Sequence, residues 1–119
     1  MTSRERVLTA LAHKEPDRVP LDLGGTLATG INYQAYDELL AYMGIEDAWT
    51  WESLRGHTVK VAESVRQRLQ LDCVYVGVYG PPPARIWQEG ELECYEDEWG
   101  VEWACPPGGH YYTRKVPFG

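Results

Sequence analysis

Positive charge is scarce in this chain: 11 Lys and Arg stand against 18 Asp and Glu, for a net charge of −7. A nucleic-acid binder needs a basic stripe to meet the phosphates, and a protein captured at an anionic membrane surface needs a basic patch. Neither role is expected here. Long apolar runs are also missing, since none approaches the ~20 residues that cross a bilayer. The opening MTSRERVLTALAHKE scatters charges among its apolar positions and so lacks the uninterrupted centre of a secretion signal. Only three cysteines occur, Cys73, Cys94 and Cys105, an odd number without tight spacing. They make a poor disulfide framework and read as small buried apolar residues. These absences together predict a cytoplasmic protein. Internal repeats and low-complexity segments are absent too. Hydrophobic residues at 44% and charged residues at 24% are ordinary globular usage, so disorder is not expected.

What is present divides at Pro83. Before it, helical periods alternate with short apolar stretches. Thr2 and Glu5 form a capping-box pattern, followed by the stripe Val7, Leu8 and Leu11, and Pro16 ends that helix. Arg18 to Leu23 reads as a strand, irregular at Pro20, and Gly24-Gly25 breaks it. Asn32 is the expected N-cap of a second helix, with Tyr36, Leu39, Leu40 and Met43 on one face and Gly44 after its end. Ile45 to Arg55 reads as a loop with a helical turn. A third helix is expected over His57 to Gln70, with Val61, Ala62, Val65 and Leu69 on one side. Leu71 to Val78, nearly continuous in apolar residues, suits a strand buried on both faces of a parallel sheet. Helix followed by buried strand is the repeating unit of an α/β fold. Gly80 to Pro83 ends it as a stiff extended segment.

After Pro83 come four stretches of β formers, Arg85–Gln88, Leu92–Tyr95, Trp99–Ala104 and Tyr111–Val116, parted by Gly and Pro turns. They predict a small antiparallel meander appended to the βα framework, with domain parts 1–83 and 84–119. The run Val116 to Gly119 offers no closing element, so the chain is expected to be a piece of a longer protein.

Few side chains are arranged for chemistry. Asp22, just before the Gly-Gly corner, is the sharpest candidate. Two readings stand: it binds a substrate hydroxyl, cation or metal, or it accepts backbone N–H bonds from the glycine loop. Gly24 and Gly25 either present amides to an anion or serve the turn alone. His13 suits the negative end of the first helix, and His57 a solvated or capping position. Asp17 and Arg18 read as a turn pair, or Arg18 braces the first strand from below. Cys94, Cys105 and His110 have no compact zinc-ligand spacing. The acids from Glu89 to Glu102 read as a solvated hairpin face. Trp99 and Trp103 either fill core or face strands outside this sequence.

Three landmarks, RERVLTALAHKEPDRVPLDLGGT over Arg4–Thr26, VRQRLQLDCVYVGVYGPPP over Val65–Pro83, and YEDEWGVEW over Tyr95–Trp103 with Gly108 to Tyr112 behind it, resemble in their order the amino-terminal part of the uroporphyrinogen decarboxylase-like superfamily. Its members include corrinoid-dependent methyltransferases. The resemblance implies a TIM (β/α)8 barrel, of which 119 residues would be only the amino-terminal part, because such barrels typically need ~250. It also implies a pocket at the carboxyl ends of the strands. That places Asp22, Gly24, Gly25 and Thr26 at the rim as substrate-binding residues, with Gly77 to Gly80 beside them. Catalytic residues are left unknown, and no metal ligand is expected within this chain. Zinc, held by later His and Cys residues, and a corrinoid protein partner are implied for the longer parent.

Where the decarboxylase proper carries an Arg-Gln-Ala-Gly-Arg loop, this chain has Asp22-Leu23-Gly24-Gly25-Thr26, without a cation. Where it carries Phe-Ser-Asp, this chain has Val76-Gly77-Val78-Tyr79. A porphyrinogen bearing many carboxylates needs several Arg or Lys groups to offset desolvation. Porphyrin decarboxylation is therefore the less favoured expectation, methyl transfer the more favoured. A self-contained module binding a small ligand or a protein through the aromatic meander is the competing expectation.

Overall fold

The computed structural model describes residues 1–77, 83 and 85–117. The chain divides into two compact units, Met1–Gly77 and Val78–Gly119.

The first unit begins with α1, Ser3–Leu11, started by the expected capping box: Glu5 N–H donates to Thr2 Oγ1 at 3.2 Å, and Thr2 N–H to Glu5 Oε2 at 2.8 Å. The helix stops well before Pro16, with His13 left-handed at φ 56 and its N–H donating to the Ala10 carbonyl. Its buried residue is Arg6, whereas Leu8 and Leu11 of the expected apolar stripe are exposed. A short 3-10 turn, Leu27–Thr29, leads to β1, Ile31–Asn32, and α2, Tyr33–Met43. Asn32 Oδ1 accepts the Gln34 N–H at 2.9 Å, and Gly44 closes the helix at φ 63, a left-handed conformation that glycine adopts without Cβ strain. Next come β2, Trp51–Ser53, and β3, Thr58–Val59, then α3, Glu63–Leu69. The three short strands form an antiparallel sheet in the order β1-β3-β2. The core of the unit is Tyr36, Leu40, Val59 and Val65, with Leu39, Met43, Trp49, Val61 and Leu69 packed around it.

Three expectations for this unit are corrected. The third helix does not start at His57. Thr58 and Val59 pair with both neighbouring strands, and the helix begins only after Ala62, whose N–H donates to the Tyr36 hydroxyl at 2.9 Å. The stretch around Trp51, expected as loop or helical turn, is a strand.

The third correction concerns the architecture. The barrel start is not found among the described residues: the two sheets are antiparallel, and Arg18–Leu23 and Leu71–Gly77 form no strand ladder. A physical reason lies in their backbone groups. Asp72 N–H donates to the Leu21 carbonyl at 2.8 Å, but the Leu21 N–H goes to the Asp72 carboxylate, and the Gln70 and Val19 carbonyls accept from Arg18. Pro20 has no N–H to offer. Side chains have taken the places a strand partner would occupy. The rest of that apolar run, Val78 to Pro82, lies outside the described residues, and so do the expected rim positions 78–80.

The second unit is a four-stranded antiparallel meander, β4 Arg85–Glu89, β5 Leu92–Glu96, β6 Glu102–Cys105 and β7 Tyr112–Lys115, in sequential order. Gly90, at φ 62, lies in the tight turn between β4 and β5. Cys94 and Ala104 are paired and fully buried. Tyr95 and Cys105, adjacent in chain to these residues on alternating positions, point to the opposite face. There Tyr95 stacks on its cross-strand partner Trp103 at 6.2 Å, and Tyr111 meets Tyr95 edge-on at 5.0 Å. The expected strand Trp99–Ala104 starts only at Glu102, because Asp97 folds residues 97–101 into a turn.

Candidate functional site

The Gly-Gly corner is built from side chains turned on its own backbone. Asp22 Oδ1 accepts the Gly25 N–H at 2.8 Å. Gly24, at φ 74, donates its N–H to the Thr29 carbonyl at 2.8 Å. Thr26 and Thr29 cap each other, with Thr29 N–H reaching Thr26 Oγ1 at 3.3 Å and Thr26 N–H reaching Thr29 Oγ1 at 3.0 Å. Both glycines are also required sterically. A Cβ on Gly24 would lie 2.9 Å from Val61 Cγ2, and one on Gly25 would lie 2.7 Å from Cys73 Cβ and closer still to Asp22 Oδ1. The structure thus brings the four predicted residues, Asp22, Gly24, Gly25 and Thr26, into one corner. It adds Cys73, which sequence reading had placed only in a buried strand. Burial, with Asp22 and Asp72 nearby, pushes the Cys73 thiol up, so it is less nucleophilic than a free cysteine.

Below this corner lies an ionic bracket. Arg6 donates Nε to Asp17 Oδ1 at 2.6 Å, Nη2 to Asp17 Oδ2 at 2.8 Å and Nη1 to Asp72 Oδ1 at 2.5 Å. Arg18 donates Nη1 to Asp72 Oδ2 at 2.7 Å and Nη2 to the Gln70 carbonyl at 2.8 Å. The Asp72 side chain is completely buried. Burial alone would raise its carboxyl, but the Leu21 N–H, Ser3, Arg6 and Arg18 outweigh that and hold it well below the usual carboxylate range. Asp17 is lowered as well, chiefly by its bond from Arg6. Sequence reading assigned Asp17 and Arg18 to a turn or a brace but missed Arg6 and Asp72. The available signal was an Arg one position before the apolar stripe of α1 and a lone Asp opening an apolar run. A polar cleft of about 380 Å³ opens beside the bracket, with Arg6, Arg18, Glu63, Arg66, Gln67 and Gln70 among its lining residues. Arg6 and Arg18 thus direct donors at carboxylates and carbonyls and fasten the start of the chain to Asp72.

The remaining candidates stay apart. His13 closes α1, and His57 sits left-handed in the turn before β3, its ring edge-on to Tyr33 and tilted against Trp51. Cys94 and Cys105 are buried free thiols. Among the described residues no group of three His, Cys, Asp or Glu side chains is placed to hold a metal ion, and no helix is long and apolar enough to cross a membrane. Comparison with known proteins finds no matching family model, no similar curated protein and no similar solved structure.

Proposed function

We propose that this chain is the amino-terminal segment of an enzyme of the uroporphyrinogen decarboxylase-like superfamily, from its corrinoid-linked methyltransferase branch, and that it catalyses nothing by itself. The reading starts from the three ordered landmarks. The observation that carries it further is the ionic bracket, which fastens two of them together: Arg6, Asp17 and Arg18 belong to the first and Asp72 to the second. The bracket joins charged residues 54 positions apart in the chain, so the two landmarks form one structural unit. The chain's own architecture is mixed, with three helices and two antiparallel sheets among the described residues.

Methyl transfer is favoured over porphyrinogen decarboxylation by the Asp22 corner. It offers a carboxylate and backbone amides already in use, and no cation to accept an acidic tetrapyrrole. Among the described residues no three potential zinc ligands gather. No step is therefore assigned to metal or corrinoid within this chain.

The test uses the complete product of the gene, supplied with zinc, methylcob(III)alamin and a panel of thiols, and follows the corrinoid absorbance. Demethylation by the complete product and none by the 119-residue chain is the expected result. Decarboxylation of a porphyrinogen by the complete product would overturn the branch assignment. Methyl transfer by the 119-residue chain alone would overturn the claim that it is silent.

A further inference from the structure

The turn between β5 and β6 holds a tryptophan out to solvent. Asp97 organises it: Oδ1 accepts the N–H of Trp99 at 2.9 Å and of Val101 at 3.0 Å, and Oδ2 accepts Trp103 Nε1 at 2.8 Å. The Asp97 N–H donates to the Val101 carbonyl at 3.1 Å, the Gly100 N–H to the Asp97 carbonyl at 3.0 Å, and Gly100 takes φ 74. The loop is therefore fixed by bonds that do not involve the Trp99 side chain. That side chain is 75% exposed, and among the described residues its ring has no hydrogen bond or ring partner. By contrast, Tyr95, Trp103 and Tyr111 of the same unit are packed on one another.

An indole left in water by a rigid turn is a preorganised contact. It offers a large apolar area and a π face, and little ordering entropy remains to be lost on binding. Tryptophan is also among the residues that dominate protein interfaces. The charge of this unit is predominantly negative. Glu96 and Glu98 flank the turn, and from Arg85 to Pro117 seven acids (Glu89, Glu91, Glu93, Glu96, Asp97, Glu98 and Glu102) stand against three cations (Arg85, Arg114 and Lys115). Arg114 and Lys115 are already paired, with Glu89 and Glu102. The complementary surface is cationic. A guanidinium stacked on the indole satisfies the π face, while its neighbours meet the carboxylates.

We propose that the Trp99 turn is a docking point for a basic protein surface, one that places an arginine on the indole and further cations against Glu96 and Glu98. This inference stands independently of the enzyme family assigned above.

The test measures binding of short labelled peptides to the 119-residue chain by fluorescence anisotropy. One peptide alternates Arg and Leu, and a control alternates Glu and Leu. The Arg–Leu peptide is expected to bind and the Glu–Leu peptide to fail. Trp99→Ala should weaken binding by about tenfold or more, and Trp99→Phe by less. Glu98→Gln and added salt should weaken it further. Because Trp99 is exposed, circular dichroism of Trp99→Ala should match the parent. Equal binding to Trp99→Ala and to the parent would overturn the proposal, as would equal binding of both peptides. Concentration-dependent self-association that Trp99→Ala abolishes would also overturn it, by making a second copy the occupant.

Discussion

Replacing Asp72 with Ala leaves the Arg6 and Arg18 guanidiniums in place without the buried carboxylate that both of them address. Removing one partner of a buried ion set typically costs about 3–5 kcal/mol, because the stranded charge stays desolvated. Arg18 is partly exposed, so the lower end of that range is expected, read as a fall in the urea midpoint. Gly25→Ala tests the corner. Its Cβ would collide with Cys73 and Asp22, and overpacking of this kind costs about 1–3 kcal/mol. Gly44→Ala is the matched control: nothing lies within 4 Å, so only the strain of the left-handed backbone, about 1–2 kcal/mol, is expected. At this scale the sequence was partly legible. Asp22 was singled out with two readings, and its bond to the Gly25 N–H is one of them. Arg6 was invisible, since nothing local distinguishes an arginine that will be buried from one that will not.

Helix α2 is the element whose local signals all agree: an Asn cap, an apolar face at 3.6 spacing and a glycine at the end. Helix α3 is the opposite case. It has only seven residues and an alanine N-cap that makes no side-chain bond. Tyr36 serves as a remote support, its buried hydroxyl accepting the Ala62 N–H. Tyr36→Phe should therefore cost about 1–3 kcal/mol by leaving that N–H unsatisfied in a partly buried position, and hydrogen exchange should quicken first in 63–69. The helical period of Val61, Val65 and Leu69 was read correctly as apolar positions but extended too far back. Thr58 and Val59 carry no mark distinguishing a strand residue from a helical one, and their pairing with Ile31 and Asn32 is long-range. The same holds for Leu71–Gly77, whose apolar run suits a buried strand, yet Val74 and Val76 are exposed, the latter at 90%.

Across the molecule, stability should respond to pH in two opposed ways. Asp17 and Asp72 have folded values depressed below their unfolded ones, so their stabilisation is complete above about pH 5 and lost as acid protonates them. Glu52 is shifted upward by burial, only partly offset by Lys60, and its Oε2 is buried with no hydrogen-bond partner among the described residues. The folded state binds that proton more tightly than the unfolded chain does, so this contribution favours folding at low pH and declines as pH rises through the folded value. Glu52→Gln should raise the urea midpoint at pH 7 relative to the parent and remove this decline. Asp72→Asn should flatten the acid limb instead.

The sequence by itself determined the features that depend on neighbours in the chain: the capping box of α1, the faces and ends of α2, the turn-parted stretches of the meander, and the excess of negative charge. Only the tertiary structure decided how Arg18–Leu23 and Leu71–Gly77 meet. It also decided that Arg6 is buried while Leu11 is not, and that Trp99 stands in water while Trp103 packs. The first two depend on which distant groups meet a given backbone amide or carboxylate. Local periodicity carries no information about such bonds, in which Arg18 and the Asp72 carboxylate occupy backbone groups that a strand partner would otherwise pair with.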